Sequence, residues 1–240
     1  MGIARAVDGW LDRTLRVVLP PRCVLCGGRG AGGRDLCAGC AADLAPNAPC
    51  CPCCALPLAT PAPACGACLA RAPPFDLAWV PLRYGHPLDL LEARFKFHGD
   101  LAAGRVLAEC LVECATRGRP ALPALLVPIP LHTARLRERG YNQALELARP
   151  LARALDVPLR HDLLVRPRAT PAQTGLDAKM RRRNLRGAFA VAPGFAWPGH
   201  VALFDDVMTT GATLREAART LKRAGVARVD AWALARAPRR

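Results

Sequence analysis

Lysine is nearly absent: Lys96, Lys179 and Lys222 are the only three in 240 residues. None follows a G-x-x-x-x-G-K-[ST] stretch, which excludes the nucleotide-binding loop built around such a lysine. Long apolar runs are missing too, and none approaches the roughly 18 residues of a membrane span. The N-terminal stretch "MGIARAVDGWLDRTLRVVLPPRC" is broken by Asp8 and Asp12 and does not read as a signal peptide. Ala6 stands where a myristoylation signal needs a hydroxyl. Ile3, Val7, Trp10, Leu11, Leu15 and Val18 instead suit one face of a short helix over residues 1–20. A cytoplasmic location is the expectation. His86, His98, His132, His161 and His200 show no metal spacing, and no low-complexity tract is visible.

Cysteine and arginine are what the chain has in excess. Most of the twelve cysteines fall in pairs between Cys23 and Cys68: "CVLC", "CAGC", "CCPCC" and "CGAC". A C-x-x-C turn points two thiolates at one cation, and two such turns complete a tetrahedral four-cysteine zinc site. Two zinc ions are therefore expected, on Cys23, Cys26, Cys37 and Cys40, and on Cys51, Cys54, Cys65 and Cys68. The third pair is open, since Cys50/Cys53 has the same spacing; Cys51/Cys54 is favoured because Leu56-Pro57 then makes the turn exit. The region is too short and too rich in glycine and proline to build its own core, so metal would supply its folding energy, on the order of 10 kcal/mol per site. Four thiolates leave no open coordination position, which makes the role structural. Cys110 and Cys114, in a helical stretch, read as buried apolar residues.

The net charge of +15 is unevenly spread, with +3 over residues 1–75 and +12 over 76–240. Two filled four-thiolate sites would bring residues 1–75 to −1, so the ribbons are a poor nucleic-acid grip. The dense basic part holds Arg160, Arg166, Arg168, Lys179, Arg181, Arg182, Arg183 and Arg186 against Asp162 and Asp177. Such a segment suits phosphate, and any single-stranded DNA is expected to contact it there.

The stretch "RAPPF" at 71–75 reads as a linker, and beyond it apolar strands alternate with amphipathic helices. Helix is expected over Pro87–Thr116 with a break near Gly99-Asp100, over Leu136–Leu155 and over Leu214–Ala224; strands are expected at "ALLVPIP", "VALF" and Val229–Leu234. This order gives an α/β fold with a parallel sheet covered on both faces. The expected domains are a helix over 1–20, a double zinc ribbon over 21–70 and the α/β domain over 76–240.

The ligand signal is "LFDDVMTTGATL", where apolar residues run into Asp205 and Asp206 and then into Thr209, Thr210, Gly211, Ala212 and Thr213. Backbone amides at a helix N-terminus, with a glycine for close approach, form a phosphate cradle. Thr213 is expected to cap that helix, with Glu216 completing a capping box. The carboxylates repel a phosphate, but they can take sugar hydroxyls or hold hydrated Mg²⁺. A ribose 5-phosphate with a pyrophosphate at carbon 1 satisfies all of these groups.

These residues resemble the phosphoribosyl-diphosphate (PRPP) motif of type I phosphoribosyltransferases. With the paired C-x-x-C ribbon, "VPIPLHTARLRERGYNQA" at 127–144 and "RPRATPAQTGLDAKMRRRNLRGAF" at 166–189, the chain is similar to the ComF competence family from Cys23 to Ala235. The resemblance implies a type I phosphoribosyltransferase fold behind a double zinc ribbon. It implies that Asp205 and Asp206 take the ribose diol and, indirectly, Mg²⁺, and that Thr209 to Thr213 hold the 5-phosphate. It places the pyrophosphate loop after "VPIP", with Arg139 nearby, and a mobile catalytic loop at Arg168, Thr170, Gln173 and Arg181. Two functions are carried forward: a phosphoribosyltransferase of open acceptor linked to DNA uptake in natural transformation, and a non-catalytic nucleic-acid-associated adaptor or PRPP sensor. The expected partners are PRPP and either DNA-uptake proteins, which the resemblance implies, or single-stranded DNA, which the charge of the basic segment suits.

Overall fold

The computed structural model describes residues 20–118, 120–167, 185 and 187–238. The expected helix over 1–20, apart from its last residue, and the loop residues Arg168, Thr170, Gln173 and Arg181 lie outside them. The chain divides into two compact units, one from the residues up to Leu44 with His86–Val106, the other from Ala45–Gly85 with Leu107 onward.

The first unit begins with the first pair of cysteine turns and a short helix α1 (Ala38–Ala42), which starts at Cys37. It continues in α3 (Leu88–His98) and the start of α4 (Leu101–Gly118). Gly99, at φ 65°, ends α3 in the left-handed conformation that glycine adopts without penalty. Asp100 then caps α4, its Oδ1 accepting the Ala103 amide at 3.0 Å. Gly104 is fixed by packing: a Cβ there would lie 2.5 Å from the Phe95 ring. Arg94 spans the unit, with Nε on Asp100 Oδ2 at 2.8 Å and Nη1 on the Val24 carbonyl inside the first cysteine turn.

The second unit holds a helix α2 (Gly66–Ala70) and a sheet of five strands, β1 (Leu77–Trp79), β2 (Leu82–Arg83), β3 (Leu125–Pro128), β6 (His200–Met208) and β7 (Arg228–Arg236). The order is β1-β7-β6-β3, with β2 also on β7, and every pairing is parallel. Parallel strands covered on both faces read as unbroken apolar runs; Val201–Phe204 and Ala231–Ala235 are indeed at most 1% exposed. Full burial of a side chain as large as Phe204 or Trp232 contributes roughly 1.5–3 kcal/mol or more. Among the described residues the remaining helices are α5 (Thr133–Arg139), α6 (Gln143–Leu155), which packs on β3 and β6, and α7 (Ala212–Arg223), which packs on β6 and β7. A two-stranded antiparallel sheet of β4 (Leu164–Val165) and β5 (Ala190–Val191) completes the unit.

Three expectations are corrected. The "VALF" strand runs on through both acids to Met208, because the parallel pairing with β7 continues as far as Arg236. Leu136–Leu155 is two helices, since Gly140 at φ 78° closes α5 and Asn142 caps α6 through the Ala144 amide. Thr213 is not a cap: α7 starts after Gly211, and Glu216 accepts the Gly187 amide at 2.9 Å instead of closing a capping box. Phe75, at the end of the expected linker, is buried in the core, with the Arg215 guanidinium 5.6 Å from its ring centre.

Candidate metal centres and anion-binding site

The structure brings the cysteines together in two sets, Cys23, Cys26, Cys37 and Cys40, and Cys51, Cys54, Cys65 and Cys68, each with its sulfurs within 4.8 Å of one another. Cys26 and Cys37 are 3.7 Å apart at sulfur, as are Cys54 and Cys65. Sulfurs about 2.3 Å from a central zinc form a tetrahedron with edges of about 3.8 Å, so both sets fit that ion. Cys50 and Cys53 fall outside both sets. Backbone amides reach the sulfurs, Cys40 N–H to Cys37 Sγ at 3.4 Å and Cys65 N–H to Cys51 Sγ at 3.2 Å.

These amides prepare thiolates. Burial opposes ionisation of Cys23, but the amides of Cys26, Cys37 and Leu25 outweigh it and lower the thiol to about 6. Cys51 follows the same pattern: burial is outweighed by the amides of Cys65, Cys54 and Cys53, and the thiol again lies at about 6. Cys40 is pushed up by its hydrogen bond with Cys37, and Cys68 by burial and by Cys54 and Cys65. Four close thiols cannot all ionise without a cation, and a divalent ion removes that conflict.

The second candidate site lies at the carboxyl ends of β3 and β6. Pro128 pairs with Phe204, and Ile129 N–H bonds the Phe204 carbonyl at 2.8 Å, so the chain leaving β3 emerges beside Asp205. Ligands of parallel α/β sheets bind at such strand ends. Asp205 and Asp206 are half-buried, and each carboxylate accepts the next residue's amide, at 3.0 and 2.7 Å. The turn Thr209–Gly211 follows, with Gly211 at φ 72° and Thr210 Oγ1 accepting the Ala212 amide at 3.3 Å. A Cβ on Gly211 would lie 2.7 Å from Met208 Cε, in a backbone conformation that disfavours any side chain.

Three residues that the sequence reading did not single out, Asn142, Gln143 and Arg135, belong to this neighbourhood, together with Arg166 of the basic segment. Asn142 fixes the bend after β3, its Nδ2 on the Ile129 carbonyl at 3.0 Å. Gln143, 2% exposed, accepts Arg139 Nη1 at 3.2 Å through Oε1, while its buried Nε2 has no hydrogen-bond partner among the described residues. Burial lowers the Arg135 guanidinium, and repulsion from Arg139 adds to this. Burial also lowers Arg166, one residue past β4; repulsion from Arg135 adds to it and attraction from Asp205 opposes it. The region is thus positively charged beside a carboxylate, with Arg139 among its arginines. Each of these residues lies within a motif string quoted above, but only the fold shows which of them turn inward. Of the basic segment, Arg160 pairs with Asp162 at 2.7 Å, and residues 168–184 are not described.

Two four-cysteine sites, together with a parallel α/β sheet that has paired acids and an amide-rich turn at its carboxyl edge, define a double-zinc-ribbon protein whose architecture is consistent with type I phosphoribosyltransferases. A family model described as a double zinc ribbon domain matches residues 14–69. Competence protein F of Haemophilus influenzae is 39% identical over 224 residues, covering 90% of this chain and 97% of that protein. DNA utilization protein YhgH of Escherichia coli is 36% identical over 174 residues, 70% of this chain and 76% of that one. Competence protein ComFC of Bacillus subtilis is 35% identical over 135 residues, 56% and 53% of the two chains. The chain belongs to the ComF family of competence proteins. Among the described residues, no helix is long and apolar enough to cross a membrane.

Proposed function

We propose that the protein binds Mg-PRPP at the carboxyl edge of its sheet and serves DNA uptake or utilisation, as the names of its relatives suggest. The observation that carries this reading is the single run from β6 through Asp205 and Asp206 into the Gly211 turn and α7, flanked by Arg135, Arg139 and Arg166. The amides and hydroxyls of Thr209 to Thr213 suit the 5-phosphate. Asp205 and Asp206 suit the ribose hydroxyls and would help to hold a hydrated Mg²⁺, which would supply positive charge to the pyrophosphate. The arginines suit the pyrophosphate, whose departure from carbon 1 they would stabilise as negative charge gathers on it. Arg168, Thr170, Gln173 and Arg181 are assigned by resemblance to the loop that covers the ligand.

Calorimetric titration with PRPP and Mg²⁺ tests the binding. A saturable one-site curve is expected, and the absence of heat at millimolar ligand would remove PRPP from the reading. Pyrophosphate release on incubation with candidate acceptors separates transfer from sensing. DNA binding is tested with single strands across a salt series, where each phosphate contact steepens the slope by about 0.7.

A further inference from the structure

Arg236 ends β7 and is only 2% exposed. Its guanidinium is turned onto main-chain carbonyls from three parts of the second unit. Nε donates to the carbonyl of Cys54 at 3.1 Å, and Nη1 donates to those of Met208 and Ala237 at 2.8 Å and to that of Thr209. Cys54 belongs to the second cysteine set, and Met208 and Thr209 open the turn that runs into α7. One buried cation, 182 residues along the chain from Cys54, therefore joins a cysteine turn to the proposed anion-binding turn.

The contact has a directional consequence. In a planar trans peptide the N–H points opposite to the C=O. Drawing the carbonyls of Met208 and Thr209 toward Arg236 turns the amides of Thr209 and Thr210 away from it. Those are the first amides of the proposed phosphate cradle. The Cys54 carbonyl is fixed in turn by its own loop, where Ala55 N–H bonds the Cys51 carbonyl at 2.8 Å and Asn47 Nδ2 holds the Ala55 carbonyl at 2.8 Å. The donors of a guanidinium are arranged in a rigid planar fork, and a lysine ammonium could not hold the same set of carbonyls.

We propose that Arg236 is a positioning residue that ties the second four-cysteine site to the anion-binding turn, so that a filled second site and a bound phosphate ester stabilise each other. The first site takes no part in this coupling. The inference rests on the reading of the turn as a PRPP site and adds a partner to it. Reciprocity is a thermodynamic requirement: if the filled site favours the ligand, the ligand must favour the filled site by the same factor.

The test measures zinc release from the full-length, zinc-loaded protein to a zinc-selective chromogenic chelator, with and without saturating Mg-PRPP. Mg-PRPP is expected to slow release of one zinc equivalent by about tenfold, the factor that corresponds to a coupling of about 1.4 kcal/mol, and to leave the other unchanged. In Cys26→Ser, the slowed equivalent should be the one that remains. Arg236→Lys should keep its zinc, lose about tenfold in Mg-PRPP affinity and lose the protection. If wild type binds Mg-PRPP while both equivalents leave at unchanged rates, or if both are slowed alike, the coupling is overturned. Wild-type affinity in a folded Arg236→Lys overturns it as well. If Arg236→Lys does not fold, the wild-type release traces decide alone. Failure of wild type to bind Mg-PRPP overturns the functional reading together with this inference.

Discussion

Cys51, Cys54, Cys65 and Cys68 are all buried, whereas in the other set only Cys23 is, and Cys26 is exposed. The two sets share ligand type, spacing and amide-to-sulfur bonding, yet they occupy different kinds of environment. The second lies in the hydrophobic core that also contains Val127, Leu203 and Ala233 of the sheet. The first rests in a small helical unit, steadied by Arg94 between the Val24 carbonyl and the Asp100 cap. Each set thus has an arginine on a carbonyl of one of its turns. Arg94 leads from there to a helix start and Arg236 to the turn that runs into α7. A metal site of one chemical type can serve as a local staple or as part of a core, and its surroundings decide which.

The largest effect expected from this difference is on folding. A four-cysteine site is worth on the order of 10 kcal/mol, against a total stability of about 5–15 kcal/mol for a typical domain. Cys54→Ser should therefore abolish the folded sheet, seen as loss of a cooperative melt, while Cys26→Ser should leave the sheet folded with about one zinc by elemental analysis. A cooperative melt in Cys54→Ser would show that the second site is peripheral to the core.

Next in size is ligand affinity. Asp206→Ala removes a charged acceptor from the sheet edge and should weaken Mg-PRPP binding by roughly 1.5–3 kcal/mol, about ten- to a hundredfold. Arg34→Ala, in the first ribbon, should leave binding as it is. Calorimetry on both variants checks the contrast, and equal losses would break it.

Backbone substitutions should separate the units more finely. Gly211→Ala forces a side chain into φ 72° and should cost the sheet unit about 1–2 kcal/mol. Asp100→Ala removes the α4 cap and should cost about 1 kcal/mol, read as faster amide exchange at the start of that helix.

The smallest effect is that of acid. Burial would raise the Asp100 carboxyl, but the Ala103 amide and Arg94 more than offset it, so it titrates below its ordinary 3.8. A carboxyl depressed on folding stabilises fully above its unfolded value, and that contribution is lost as pH falls through the folded value. Asp76 behaves likewise in the sheet unit, through Lys222 and the Val229 amide. Melting below about pH 4 should become less pH-dependent in Asp100→Asn for the first unit and in Asp76→Asn for the second.

Much of this was legible in the sequence because it is local. The cysteine spacing announced two metal sites, and the break at Gly99-Asp100 was visible as a turn between helices. The length of β6 was not, since Asp205 and Asp206 look like a strand's end until β7 is seen to pair past them. The capping box failed for a related reason: Glu216 finds an amide 29 residues away, which no local pattern records. Gln143 and Arg135 sat inside a motif that was read whole, and only the fold shows that their polar atoms are buried. The burial of the second cysteine set beside the sheet is likewise a tertiary fact.

The position of β7 also sets an order of events during synthesis. It is the last strand described, yet it pairs with β1, β2 and β6. The cysteines of the second set leave the ribosome long before Arg236, and translation proceeds at about 5–20 residues per second. For on the order of ten seconds the growing chain holds a metal-ready knuckle with nothing to pack against, while the strands that will enclose it are still missing. Early metal capture would then keep eight nearby thiols from wrong pairings until β7 closes the sheet over the second set.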